Sequence, residues 1–268
     1  MAAGTSIITE RSPFIVRTSF TVAQKASVIG QWAAKNKIEK VFTVVADYAP
    51  GHDAEKVFKD SFTKAGGQVV GEARVPVANP DFAPFLQRAA DAEPDAIFVF
   101  VPSGQGAAFA KQFVERGLDK SGIKLIATGD LPDDDILNNF GDTALGLISA
   151  GHYSAAHPSA KNKAYVAAFE KANPGMRPNF MSVGGYDGMN LIYEALKRTN
   201  GNADGEVLIA AMKGLSFESP RGPITIDPET RDIVQNIYLR KVEKVDGKLY
   251  NVEFGSIDQV KDPGKTQK

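Results

Sequence analysis

The chain has no cysteine among its 268 residues, and this absence removes disulfides, thiolate nucleophiles and cysteine-based zinc sites from consideration. A basic field is lacking as well, because 31 Lys and Arg side chains are offset by 32 Asp and Glu, for a net charge of -1. Nucleic-acid binding depends on such a field, so the charge balance argues against a nucleic-acid partner. The longest apolar runs, such as residues 96–101, are far too short to span a bilayer.

Signatures of catalysis and cofactor binding are also missing. The sequence contains neither a GxSxG nucleophile elbow nor a GxxxxGK[ST] phosphate loop. Its three histidines, His52, His152 and His157, lack the HExxH spacing of a zinc site. The stretch "GQGAAF" at 104–109 lacks the third glycine of a dinucleotide-binding fingerprint. We therefore expect a protein that is not an enzyme and holds no cofactor or metal.

Short segments rich in β-branched and aromatic residues alternate with segments of helical periodicity from about residue 14 to residue 147. This alternation predicts an α/β fold with a doubly wound parallel sheet and helices on both faces. The pattern predicts strands at 40–46, 68–75, 95–101, 124–128 and 145–153. It predicts helices at 22–35, 53–65, 81–92 and 105–116.

The pattern changes after residue 153. Residues 160–172, 179–201 and 205–213 have helical periodicity, and no buried parallel strand is predicted between them. Two strands at 235–245 and 250–254 follow, joined by "DGK", which predicts an antiparallel hairpin. Three consecutive helices without a sheet of their own therefore need a surface to pack on.

Polar side chains follow several of the predicted parallel strands. Ligands of open α/β sheets bind at the carboxyl ends of the strands, where Tyr48, Ser103 and Asp130 are expected. Tyr48 combines an apolar face with a polar tip, which suits a cleft, although a tyrosine that only caps its loop is the alternative. A lone carboxylate at Asp130 can pair with a ligand ammonium group.

The acidic stretch "TGDLPDDD" at 128–135 allows two interpretations. Its carboxylates could supply oxygen ligands to magnesium or calcium. We favour the simpler one, in which Asp133, Asp134 and Asp135 cap the amino end of a helix that begins at "DDDILNNF".

Longer stretches of the sequence resemble a known family. They are "VVADYAPGHDAEKVFKDSFTKAGGQVVGEARVPVANPDFAPFLQR", "PDAIFVFVPSGQGAAFAKQF", "NFMSVGGYDGMNLIYEAL" and "SPRGPITIDPETRDIVQNIYL". They resemble the branched-chain amino-acid (Leu/Ile/Val-binding) type of ABC-transporter substrate-binding proteins, which are type I periplasmic receptors. The similarity covers almost the whole chain in the family's order.

This resemblance implies a periplasmic-binding-protein-like type I fold, with two lobes joined by three hinge crossings. On that plan, residues 1–17 are a remnant of lobe I with the first crossing, and 18–147 form the doubly wound lobe II. Residues 148–222 are the helical part of lobe I, and 223–268 supply the third crossing and the C-terminal hairpin of lobe II. Lobe I would then be incomplete, so we expect an N-terminally truncated chain in which Met1 is an internal methionine.

The resemblance also implies six ligand-binding residues: Ala3, Thr5, Tyr48, Ser103, Gly104 and Asp130. In the family, an Ala carbonyl and a Thr hydroxyl hold the amino-acid head of the ligand, and Ala3 and Thr5 match those positions. Tyr48 matches an aromatic residue of the second lobe, and Ser103 or Gly104 matches a position over the ligand side chain. Asp130 falls where amino-acid binders keep an acid for the ammonium group.

The function implied is solute binding for an ABC-type uptake system. The ligand would be a small amino acid or an aromatic or aliphatic carboxylate, held by hinge closure between the lobes and presented to a membrane permease. The resemblance places such a protein in the periplasm. The alternatives are a cytosolic small-ligand sensor of the same fold and, with less support, a nucleotide-using α/β enzyme.

Overall fold

A computed structural model describes residues 3–78 and 80–265 of the chain. Seven α-helices lie in these residues: α1 (Val22–Lys35), α2 (Ala49–Lys64), α3 (Ala83–Asp91), α4 (Gly106–Glu115), α5 (Ala160–Ala172), α6 (Phe180–Arg198) and α7 (Gly205–Met212). Two short 3₁₀ helices cover Ser6–Glu10 and Leu137–Ala144. The nine strands are β1 (Lys40–Ala46), β2 (Gln68–Val75), β3 (Ala96–Phe100), β4 (Lys124–Thr128), β5 (Ile148–Gly151), β6 (Ser216–Ser219), β7 (Gly222–Ile226), β8 (Ile233–Val245) and β9 (Lys248–Val260).

The first five strands form the parallel part of one sheet, in the order β2-β1-β3-β4-β5. The predicted strands and their parallel pairing are thus confirmed. Each strand is followed by a helix or a loop at its carboxyl end, and those ends meet at one edge of the sheet. The cavity described below lies at this edge, beside the carboxyl ends of β1 and β4.

The long strand β8 connects this sheet to a smaller group of strands. Its residues Tyr238–Lys241 pair antiparallel with β5, whereas Ile233–Gln235 pair with β7, which in turn pairs with β6. The opposite edge of β8 pairs with β9 over its length, with register shifts between Gln235 and Ile237 and between Leu239 and Arg240. The first shift falls between the segment that pairs with β7 and the segment that pairs with β5, and the second falls within the latter.

Buried apolar residues form three clusters. One packs α1 and α2 against one face of the parallel sheet, through residues such as Ile29, Phe58 and Phe98. A second packs α3 and α4 against the opposite face, with Phe82 and Phe109 among its members. The third lies between α6, α7, β7 and the start of β8. The fold is thus the mixed α/β arrangement expected from the sequence.

Local sequence signals explain where the best-predicted helices begin and end. Helix α1 begins after Thr21, whose hydroxyl accepts from the Gln24 backbone N–H, while the Gln24 side chain accepts from the Thr21 N–H. Helix α5 begins after Ser159, which accepts from the Asn162 backbone N–H. The bounds predicted for these two helices, 22–35 and 160–172, match the structure at both ends.

Residues 11–18 overlap the segment expected to hold the first crossing, and they contain no strand and follow the 3₁₀ helix Ser6–Glu10. Helices α6 and α7 do pack on strands, because apolar residues of these helices and of the β6–β7 hairpin form one buried cluster. Sequence reasoning missed this hairpin, since β6 has only four residues and little apolar character. In the described part of the chain, no helix is long and apolar enough to cross a membrane.

We predict that Phe58→Ala lowers the free energy of unfolding by about 3–5 kcal/mol, because the substitution removes a fully buried ring. The Phe58 ring stacks on Phe98 with 4.0 Å between centroids, so the cavity left behind cannot be filled by a small shift. Urea denaturation followed by circular dichroism measures the change. Phe14→Ala, which removes the same ring from a side chain that is 56% exposed, is the control and should cost less than about 1 kcal/mol. Equal losses in the two variants would contradict the core described here.

Candidate functional site

One cavity of about 410 Å³ lies at the carboxyl edge of the parallel sheet. The structure brings five of the six predicted site residues to its wall: Ala3, Thr5, Tyr48, Ser103 and Asp130. The other lining residues are Gly4, Phe20, Val22, Pro50, Phe100, Pro102, Phe180 and Met181. Gly104 is not among the residues that line the cavity.

Aromatic rings form much of the cavity wall. Tyr48 and Phe100 are stacked at an interplanar angle of 17°, with 6.1 Å between ring centroids. Phe20 and Phe180 meet edge to face at 5.2 Å. The Phe20 ring is supported from behind by His152, which stacks on it at 5.0 Å and is itself buried. Two pairs of fixed rings thus shape a space suited to a flat apolar ligand.

The charge of Asp130 is neutralised within the protein. Lys25 Nζ donates to Asp130 Oδ2 at 2.5 Å, and Thr128 Oγ1 donates to the same oxygen at 2.8 Å. Lys25 Nζ also lies 3.8 Å from the centroid of the Phe20 ring, which is a cation–π contact. Burial lowers the pKa of Lys25, and the Asp130 carboxylate opposes that effect.

Sequence reasoning missed Lys25, although a signal for it exists. Val22, Ala26 and Ile29 define the buried face of α1, and position 25 lies on that same face at helical spacing. A lysine on an apolar helix face is rarely fully buried without a partner. The partner, Asp130, lies 105 residues away in sequence, so the pattern alone does not identify it.

The loop that contains Ala3 and Thr5 is held by other parts of the chain. The Thr5 hydroxyl donates to Asp53 Oδ2 at 2.7 Å. Arg17 donates to the backbone carbonyls of Ala3 and Thr5, and its Nε lies 2.5 Å from Asp232 Oδ1. The Ala3 carbonyl and the Thr5 hydroxyl, which the family resemblance gives to the ligand head, each have an intramolecular partner in this structure.

Tyr48 stands at the end of β1 and at the start of α2. Its hydroxyl is partly desolvated, and burial, followed by the nearby Asp130 charge, raises the pKa of Tyr48 to about 12. The hydroxyl therefore stays protonated at neutral pH and can donate a hydrogen bond. Tyr48 directly precedes α2 and its side chain does not cap the helix, so backbone N–H groups of the first turn are left for other acceptors.

The acidic stretch after β4 does not cap a helix. Asp133 accepts from Ser103 Oγ at 2.8 Å and from Asn179 Nδ2 at 3.2 Å, while Asp135 accepts from Asn179 Nδ2 at 3.1 Å. The following 3₁₀ helix begins at Leu137 and has no side-chain cap. The capping prediction for Asp133, Asp134 and Asp135 was therefore wrong: Asp133 and Asp134 are buried acceptors instead.

Within residues 3–78 and 80–265, no group of three or more His, Asp or Glu side chains is arranged to hold a metal ion.

The Ser103 hydroxyl, predicted as a donor to the ligand, donates to Asp133 instead, and Asn179 both caps the start of α6 and donates to the same carboxylate. These contacts tie the beginning of α6 to the loops at the carboxyl edge of the sheet.

A family model described as periplasmic binding protein matches residues 2–248 of the chain. The chain belongs to this family. It is 45% identical over 268 residues to the Leu/Ile/Val-binding protein homolog 6 of Brucella abortus (strain 2308), an alignment that covers 98% of this chain and 68% of the relative. The family resemblance seen in the sequence is confirmed.

Solved structures agree with this assignment. A solute-binding protein of an ABC transporter from Rhodopseudomonas palustris BisB5, in complex with 3,4-dihydroxybenzoic acid, has a TM-score of 0.95 and 69% identity, and covers 99% of this chain and 73% of that one. An R. palustris solute-binding protein in complex with 4-hydroxybenzoate has the same TM-score and coverage at 43% identity. This periplasmic binding protein is accordingly a solute-binding component for ABC-type uptake, and its family and these relatives are binding proteins.

The buried Asp133 gives this periplasmic binding protein a pH-dependent stability. Burial is the first cause that raises the pKa of Asp133 to about 8, and the charges of Asp135, Asp134 and Asp130 add to it. The hydrogen bond from Ser103 opposes the rise. The folded protein therefore keeps a proton on Asp133 at neutral pH.

We predict that Asp133→Asn flattens the pH dependence of stability between about pH 4 and pH 8. An unfolded aspartate loses its proton at about pH 4, whereas folded Asp133 keeps it to about pH 8. The folded state thus binds more protons in this window, and the free energy of unfolding of the natural protein falls as pH rises. Urea denaturation at several pH values measures the slope. Asp119→Asn, at an exposed carboxylate, is the control, and an unchanged slope in Asp133→Asn would refute the prediction.

Proposed function

We propose that this protein binds an aromatic carboxylate of the hydroxybenzoate class and presents it to a membrane permease of the ABC type. The observation that carries the proposal is the aromatic wall of the cavity, formed by Phe20, Tyr48, Phe100 and Phe180. A benzene ring gains from stacking and edge contacts there beyond the burial of its apolar area. The relatives in complex with 3,4-dihydroxybenzoic acid and 4-hydroxybenzoate support this ligand class.

The charge pattern of the cavity favours an aromatic acid over an amino acid. An α-amino acid brings an ammonium group that needs an acceptor carboxylate. Asp130 is the one carboxylate among the described lining residues, and its Oδ2 already accepts hydrogen bonds from Lys25 and Thr128. The cavity therefore offers no unpaired negative charge to an ammonium group. The affinity of a ligand without an ammonium group is not reduced by this lack.

The start of α2 is suited to the ligand's carboxylate. Tyr48 and Pro50 line the cavity, and Pro50 lies in the first turn of the helix. Backbone N–H groups at Ala49 and Gly51, together with the positive end of the helix dipole, stabilise an anion at this position. Gly51 permits the start of α2 to pack closely on the end of β1, because a Cβ there would overlap the Ala46 carbonyl oxygen.

The proposed action involves no bond making or breaking. The ligand is enclosed where the Ala3–Thr5 loop, the strand ends of the sheet and the start of α6 converge, and hinge closure traps it there. The Thr5–Asp53 contact ties the Ala3–Thr5 loop to α2, and the Asn179–Asp133 contact ties the start of α6 to the loop after β4. We place the protein in the periplasm, where its family operates.

We predict that titration calorimetry finds 4-hydroxybenzoate and 3,4-dihydroxybenzoate bound at least about tenfold more tightly than L-leucine, a difference of about 1.4 kcal/mol or more. The physical reason is the aromatic wall together with the neutralised Asp130. A parallel thermal-shift series checks the ranking, because a ligand of the folded state raises the melting temperature by mass action. Tighter binding of L-leucine would favour amino-acid uptake, the alternative that the name of the Brucella relative suggests.

We further predict that Tyr48→Ala weakens 4-hydroxybenzoate binding by about tenfold or more, through loss of the ring that stacks on Phe100. Tyr48→Phe is the matched control, since it keeps the ring and removes only the hydroxyl, and we expect less than about a threefold loss. Calorimetry on both variants measures the difference. If the two variants lose affinity equally, the hydroxyl and not the ring is the important group, and the stacking argument fails.

A further inference from the structure

The buried ion pair at the cavity wall has an asymmetric placement. Asp130 lines the cavity. Lys25 does not, and only 1% of the Lys25 side chain is exposed. Lys25 Nζ lies 3.8 Å from the centroid of the Phe20 ring and 5.2 Å from that of the Phe180 ring, and both rings line the cavity. A ligand in the cavity therefore meets the carboxylate directly, whereas the lysine touches no ligand atom and acts on the ligand through its charge.

The two oxygens of Asp130 differ in their partners. Oδ2 accepts from Lys25 Nζ and Thr128 Oγ1. Both hydrogen bonds found from described residues to this carboxylate go to Oδ2, and none goes to Oδ1. A carboxylate oxygen accepts hydrogen bonds readily, so Oδ1 is the acceptor that a ligand group at this wall can use.

A ligand hydroxyl and a ligand ammonium group fare differently at Oδ1. A hydroxyl donates one hydrogen bond to an ionised acceptor and brings no net charge, which is a favourable exchange in a dry site. An ammonium group brings a positive charge within a few ångströms of Lys25, which already neutralises Asp130. The free-energy cost of desolvating the ammonium group is then not offset by an unpaired negative charge.

We propose that Lys25 is a positioning residue for ligand selection: by holding Asp130 as a neutral pair, it makes the cavity accept a ring hydroxyl and reject an ammonium group. This inference rests on the proposed function, since it assumes that an aromatic carboxylate occupies the cavity. It assigns the ligand's orientation as well, with the hydroxyl toward Asp130 and the carboxylate away from it, toward the start of α2.

Two isosteric probes test the selection, 4-(hydroxymethyl)benzoate and 4-(aminomethyl)benzoate, which differ in the charge of one terminal group. Calorimetry at pH 8 on the natural protein should show the hydroxymethyl compound bound at least about tenfold more tightly. Lys25→Met leaves Asp130 without its cation, and we expect the affinity ratio to move by at least about tenfold toward the aminomethyl compound. A loss of stability alone would lower both affinities and leave the ratio unchanged.

The double variant Lys25→Met/Asp130→Asn is the matched control. It replaces the ion pair by neutral side chains of similar size, a change that folded proteins often tolerate. Because it has no carboxylate at position 130, it should show no gain for the aminomethyl compound. A ratio that shifts equally in the single and double variants would overturn the proposal.

Asp130→Asn provides a second measurement in case Lys25→Met shows no folded melting transition. Replacing the charged acceptor should weaken 4-hydroxybenzoate by about tenfold relative to benzoate, which has no hydroxyl to place at Oδ1. Equal losses for the two ligands would overturn the proposal. If the natural protein binds none of these benzoates, the proposed function itself fails, whereas tight 4-hydroxybenzoate binding with an unchanged ratio in Lys25→Met refutes only the role of Lys25.

Discussion

The buried ion pair between Lys25 and Asp130 is the interaction on which the architecture of the cavity depends. It joins the first turn of α1 to the loop that follows β4, and so it holds a helix and a strand end at a fixed separation. It also fixes Phe20 through a cation–π contact, and Phe20 in turn contacts His152 and Phe180. A charged pair thus supports an aromatic wall, and breaking either partner would leave an uncompensated charge in the interior.

Much of the fold could be predicted from local patterns. The parallel strands are short buried runs, and helices such as α1 carry both an apolar face and a capping signal, so periodicity and capping agree there. The convergence of Tyr48, Ser103 and Asp130 could be predicted as well, because the carboxyl ends of parallel strands share one edge of the sheet. The place of the Ala3–Thr5 loop came from the family resemblance, since nothing in its composition indicates a binding loop.

The features that escaped prediction depend on residues far apart in the sequence. The acidic stretch at 133–135 has the composition of a helix cap. Asp133 is instead buried and accepts hydrogen bonds from Ser103 and Asn179, which belong to other segments of the chain. Lys25 is a comparable case, because its position on a helix face is visible but its partner is not. Local propensity decides the elements, whereas the identity of a buried polar partner is decided by the tertiary fold.

The long strand β8 has a mechanical consequence. Its thirteen residues are continuous, with β7 on one edge near the start and β5 on the same edge farther along, while β9 follows the opposite edge. A relative displacement of the β7 and β5 segments has to pass through this one strand, whose register against β9 is irregular between Gln235 and Ile237 and between Leu239 and Arg240. The two groups of strands are thus coupled through the backbone of β8 itself, with no loop between them.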